Sequence, residues 1–111
     1  MPTKKSRIDS GTGDVFTDLG YADAKERRLR VALALEVNRL LKVRGLTQAR
    51  AAALLGLRQP HISDLARYRL NRFSAERLME FLTHLGNDVE IRIRPSKASG
   101  AGSAVRVLHV S

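Results

Sequence analysis

An all-α fold is predicted from this sequence: a compact helix bundle built around a helix-turn-helix, with one short β-strand near the C-terminus. Three observations carry the prediction. Leucines and alanines recur at helical spacing in four separate stretches. A lone glycine, Gly56, divides two of these stretches with almost no linker. The 111 residues are 43% hydrophobic but only 5% aromatic, so the core must be built from leucine, alanine and valine, which suits helices packed on one another. A chain of this size supports one such core and not two.

Met1 to Gly13 is polar and basic, with Lys4, Lys5 and Arg7 close together. It reads as a partly disordered arm, fit either to track a nucleic acid or merely to keep the chain in solution. Residues 1–22 are assigned to this arm, although Val15, Phe16 and Leu19 form an apolar patch that must dock on the chain's own domain or on a partner. Asp23-Ala-Lys-Glu26 is a capping-box variant that opens a long helix. Leu29, Leu33, Val37, Leu40 and Leu41 mark its buried stripe, and Gly45 stops it. The basic residues Lys25, Arg27, Arg28, Arg30, Arg39, Lys42 and Arg44 fall mostly off that stripe on a solvated face. Lys42 and Arg44 adjoin the next motif and are the better candidates to meet phosphate.

Thr47 can accept an orphan amide hydrogen bond and so cap a helix running from Gln48 to Leu55. Gly56 ends that helix in the left-handed conformation open to glycine, and Leu57 re-enters the apolar face. Gln59-Pro60 opens a second helix, since proline is tolerated in a first turn where its missing N–H would be unpaired anyway. Ile62, Leu65 and Ala66 recur at helical spacing and are expected to face inward, with the small Ala52 where it can touch Ile62. This is a helix-turn-helix. With those positions inward, Arg58, Gln59, His61, Asp64 and Arg67 must face outward. Gln59 carries the amide fork that pairs with adenine edges, while Arg58 and Arg67 can pair with guanine or grip phosphate.

After the motif, residues 70–73 read as a linker beside Arg69 and Arg72, which are placed to meet phosphates. Ser74 caps a further helix with the stripe Leu78, Phe81, Leu82 and Leu85, ended by Gly86. Val89, Ile91 and Ile93 then alternate with Glu90, Arg92 and Arg94, the pattern of a strand with one buried face, closed by Pro95. The domain is thus set at 23–95. Residues 96–111 form a low-complexity tail in which Ser-Gly-Ala-Gly-Ser at 99–103 precedes a second candidate strand at 105–110. A single strand needs a ladder partner, and either that tail or the same strand of a second subunit could supply it.

The formal net charge is +9 and the pI about 11.1, enough to drive salt-dependent binding to a polyanion. The chain has no cysteine, which excludes disulfides and argues against a zinc finger. His61, His84 and His109 lack ligand spacing, so neither a metal nor a cofactor is expected. Without an apolar run near the ~18 residues of a membrane span, and without a signal-peptide core, a cytoplasmic protein is expected. His61, Ser63 and Asp64 are the residue types of a hydrolase triad, but within four positions on one short helix they cannot form its chain of hydrogen bonds. The glycine pairs at 11 and 13 and at 100 and 102 lack the strand and helix of a phosphate-binding loop. An enzyme is not expected.

The ordered set Leu46-Thr-Gln48, Leu55-Gly56, Gln59-Pro60, Ile62-Ser-Asp-Leu65, Arg72-Phe-Ser74 and Leu85-Gly-Asn-Asp-Val-Glu-Ile-Arg-Ile-Arg-Pro95 resembles the XRE (Cro and phage-repressor-like) helix-turn-helix family. More narrowly, with the opening segment Asp14-Val-Phe-Thr-Asp-Leu-Gly20, it resembles the small regulators grouped with HigA-type antitoxins. That resemblance implies a sequence-specific transcriptional regulator, a repressor acting as a homodimer on a pseudo-palindromic double-stranded DNA operator. The alternative it implies is an antitoxin that neutralises a partner toxin and autoregulates its operon. It also implies that Gln48 touches backbone phosphate and Gln59 a base. The DNA-binding set expected is Gln48, Arg50, Arg58, Gln59, Pro60, His61, Ser63, Asp64, Arg67 and Arg69. Two positions depart from the family pattern. Arg50 stands where a glutamate usually completes the capping box with Thr47, and Tyr68 stands where a glycine usually closes the second helix.

Overall fold

The long first helix organises everything else. The computed structural model describes residues 15–97 and 104–110, with side chains from residue 24 onward. Its four helices are α1 (Val15–Val43), α2 (Gln48–Leu55), α3 (Gln59–Ala66) and α4 (Ala75–His84). At 1.5 Å per residue α1 is about 43 Å long. It lies along α4 and also touches α3, while α2 packs on both α3 and α4. Among the described residues no helix is long and apolar enough to cross a membrane.

The helix begins at Val15, eight residues before the start that Asp23-Ala-Lys-Glu26 suggested. A capping box begins a helix only where the chain ahead of it leaves helical geometry, and here it does not. Gly20 is carried inside α1; a helical glycine costs about 1 kcal/mol against alanine, which neighbouring turns can outweigh. The arm reading for Met1 to Gly13 lies outside the described residues, as do the side chains of Val15, Phe16 and Leu19.

The core follows the leucine stripes. Leu33, Ala34 and Val37 of α1 are buried, with Leu29, Leu40 and Leu41 half-buried at its margins. Ala51, Ala52 and Leu55 come in from α2, and Leu78, Phe81 and Leu82 from α4, with Leu85 just beyond it. Phe73 meets Phe81 edge to face, centroids 5.8 Å apart, and the Arg77 guanidinium lies 5.3 Å from the centre of the Phe81 ring. Leu70 and Phe73, at the two ends of the connection expected to be a simple linker, are both buried, so that connection is pinned to the core.

Caps fix the helix ends. The Thr47 and Ser74 hydroxyls accept from the amides of Arg50 and Arg77, at 3.2 and 3.1 Å. Gly56 stops α2 with φ 69°, a left-handed geometry that costs most L-residues about 1–2 kcal/mol. Tyr68 adopts the same geometry, φ 60°, just after α3. The backbone therefore keeps the shape that the family's glycine would give it, and the tyrosine bears the strain.

The expected C-terminal strands are not formed: among the described residues there is no strand. Residues 87–96 run on without helix, turn or ladder, and so do 104–110. Within the chain the two stretches are not laddered to each other, because the tail docks on α1 instead. His109 Nδ1 lies 3.1 Å from Glu36 Oε1 and 2.9 Å from the Arg39 guanidinium, and Val107 packs against the core.

Two substitutions test this packing. Tyr68→Gly relieves the left-handed strain and should raise the unfolding free energy by roughly 1 kcal/mol. Phe81→Ala should lower it by about 3–5 kcal/mol. Both are read as shifts of the urea midpoint at unchanged slope.

Candidate nucleic-acid interface

The second helix of the helix-turn-helix, α3, has only eight residues. Its inner face is held by Ile62 and Leu65, which are 2% and 0% exposed. Ala66, expected to face inward with them, is exposed instead; it is the last residue of α3, beyond the turn that Ile62 and Leu65 press into the core. From α1, Asn38 Nδ2 donates to the Leu65 carbonyl at 3.0 Å, fixing the end of α3. Pro60 sits in the first turn, and the N-cap residue Arg58 makes no capping bond with its side chain.

The structure brings the ten expected residues onto the start of α2, onto α3 and onto the exit from α3. Gln48, Arg50, Arg58, Gln59, Pro60, Arg67 and Arg69 are exposed, while His61, Ser63 and Asp64 are half-buried. Gln48 and Lys42 line one shallow cleft with Ile62 and Ala66, which sets the amide and the ammonium beside the outer edge of α3. The loss of glutamate at position 50 leaves the Thr47 half of the capping box intact, since the Arg50 amide still donates to Thr47. Asp64 faces the Arg72 guanidinium at 3.9 Å. It is the one acidic residue between positions 46 and 72, against Arg50, Arg58, Arg67, Arg69 and Arg72. The surface around α3 is therefore strongly positive.

Arg44, expected to reach phosphate, is exposed but is engaged by the chain itself. Its guanidinium donates to the Leu85 carbonyl at 2.6 Å, closing the end of α4. Arg30 likewise leaves the solvated face expected of it, donating to the Leu70 carbonyl at 2.9 Å and pairing with Glu26 at 2.8 Å. Asn87 adds a further closure on α4, donating to the carbonyls of Leu82 and Leu85. Only the ion pair of Arg30 with Glu26, four residues apart, had a signal in the sequence.

Two short helices joined at a left-handed glycine, the second locked by its inner face and ringed by arginines, define a helix-turn-helix protein. A family model described as a helix-turn-helix domain matches residues 15–94. A solved structure bearing the name XRE family transcriptional regulator is 43% identical, superposes with a TM-score of 0.75, and is matched over 79% of this chain and 99% of that one. Among curated proteins no match was found. The chain belongs to the XRE family of helix-turn-helix proteins.

The separation of braces from surface cations is testable. Arg44→Ala should cost about 1 kcal/mol of stability, because the Leu85 carbonyl loses its charged donor and keeps only the longer bond from Asn87. Lys42→Ala should stay within about 0.5 kcal/mol. Equal urea midpoints for the two variants would contradict the assignment.

Proposed function

We propose that the protein is a sequence-specific, DNA-binding transcriptional regulator that reads the major groove with α3 and acts as a homodimer. The observation that carries this reading is the division of α3 into a locked inner face, Ile62 and Leu65, and an outer face that begins with the exposed Gln59. A major groove about 12 Å wide admits one such helix. Gln59 then meets an adenine edge through its carboxamide, while Arg58 and Arg67 take guanine or phosphate according to register. Gln48, Arg50 and Arg69 hold backbone phosphate on either side and set the helix in the groove. The half-buried His61, Ser63 and Asp64 support the fit at closer range. One helix covers few base pairs, so two copies related by a two-fold would contact half-sites about 10 base pairs apart.

Toxin neutralisation joins this reading through one observation. Val31 and Leu35, one helical turn apart on α1, are 45% and 54% exposed, an apolar pair for which reading a groove has no need. Leu35→Glu should then abolish co-purification with a toxin encoded beside this gene while leaving operator binding intact.

The regulator reading is tested by competition between an operator duplex and unrelated duplex, where specific sites win by roughly 10³ or more. Gln59→Ala should cost about 1–3 kcal/mol, confined to one operator position. Arg69→Ala should weaken every sequence alike and reduce the salt slope by about one. A uniform loss for Gln59→Ala would reject the groove-reading role of that residue.

A further inference from the structure

Residues 88–94 carry an ordered, unused recognition pattern. Ile91 and Ile93 are 74% and 94% exposed, and Val89 beside them is exposed as well. The backbone runs on without turn or bend from 87 to 96, and no ladder satisfies it. The neighbouring tail is not its partner in this fold, since His109 and Val107 engage α1 and the core. Extended, alternating and open along its edge, this stretch is a template for another strand.

The sequence of the stretch selects the occupant. When a strand pairs antiparallel with a copy of itself about Ile91, residue 88 faces 94, 89 faces 93 and 90 faces 92. Asp88 then meets Arg94, Val89 meets Ile93, Glu90 meets Arg92 and Ile91 meets Ile91. Every cross-strand pair is either opposite in charge or apolar, the two kinds that stabilise a ladder. Other registers fail. A slip of one residue turns aliphatic side chains against charged ones and exchanges the faces. Slips of two place Glu90 opposite Glu90 or Arg92 opposite Arg92, and like charges directly opposed are unfavourable. Asn87 and Pro95 bound the complementary run, and proline ends the ladder because it has no N–H.

We infer that residues 88–94 form an antiparallel two-stranded ribbon with a second copy of this chain, with Ile91 on the two-fold axis. The inference rests on the homodimer of the proposed function and supplies its register. A two-stranded ribbon alone is marginal, and the copies of Val89, Ile91 and Ile93, gathered on one face, add an apolar surface to the hydrogen bonds.

The register is tested by charge reversal and by cross-linking, with circular dichroism to confirm that each variant keeps its helices. In sedimentation equilibrium, Glu90→Arg and Arg92→Glu should each weaken the dimer by roughly tenfold or more, since each places like charges at two symmetric pairs. The double variant E90R/R92E restores opposite charges at both and should return to near wild-type association. The chain has no cysteine, so a single introduced thiol can react only with its own copy. Directly opposite Cα atoms lie about 4.5–5.5 Å apart, within disulfide reach. Mild oxidation should therefore link Ile91→Cys to itself, whereas the copies of residue 89 would be about 13 Å apart and Val89→Cys should not link. A mixture of Val89→Cys and Ile93→Cys chains should link.

A wild type monomeric at about 100 μM, single reversals that leave the dimer intact, a double reversal that stays monomeric, or self-linking of Val89→Cys would each overturn the ribbon. Failure of the DNA reading looks different: a dimer with the expected cross-links that prefers no duplex sequence rejects the regulator and keeps the ribbon. A monomer that still prefers one half-site rejects the ribbon and keeps the regulator.

Discussion

An eight-residue helix is too short to hold its shape in water, because the cost of nucleating it exceeds what two turns return. Helix α3 exists only because Ile62 and Leu65 are driven into the core that α1, α2 and α4 build around them. That dependence orders the fold. α1 and α4 pack along one another, Phe73 and Leu70 fasten the connection after α3, and the turn at Gly56 sets the angle at which α3 leaves α2. The exposed row on α3 is therefore as rigid as the core beneath it, and a fixed row of side chains is what distinguishes one base sequence from another.

Charge and geometry do separate work here. A net charge of +9 brings the chain to any polyanion and makes that encounter salt-dependent. It chooses no sequence. Choice requires neutral or fork-shaped groups at fixed positions, and Gln59 at the head of α3 is such a group, with the surrounding arginines as its frame. Cations that a count of charges would assign to the same task are divided by the fold. Lys42 lines a cleft with Gln48 beside α3, whereas Arg44, two residues later, is committed to the Leu85 carbonyl just beyond α4.

Local chemistry was legible in the sequence wherever its cause was local. Thr47 and Ser74 cap the helices they were expected to cap, Gly56 takes the left-handed turn, and the stripe Leu78, Phe81, Leu82 and Leu85 is buried throughout. Periodicity set Ile62 and Leu65 on the inner face of α3 as expected, but it failed at Ala66, which is exposed. What the sequence concealed depends on distant partners or on competition. Asn38, Arg30 and Arg44 find carbonyls 27, 40 and 41 residues away, and a carbonyl has no residue type that would announce it. The start of α1 was misplaced because Asp23 carries a starting signal that the helix running into it overrides. The alternation at 89–93 was read as a strand with one buried face, but its aliphatic side chains are exposed, and a ladder needs two strands where none forms among the described residues.

Three of the long-range donors from α1 and its exit, Asn38, Arg30 and Arg44, share a property that bears on how such a protein can change over generations. Each grips a backbone oxygen, at Leu65, Leu70 and Leu85, and none grips a side chain of the outer face of α3. A carbonyl is the same whatever residue carries it. Positions such as 58, 59 and 67 can therefore be exchanged without removing any of the bonds that hold the scaffold to its reading helix. On the role proposed for α3, drift at those positions would alter which bases are preferred while the fold stays under the same restraints, so one scaffold can diverge into many specificities by single steps.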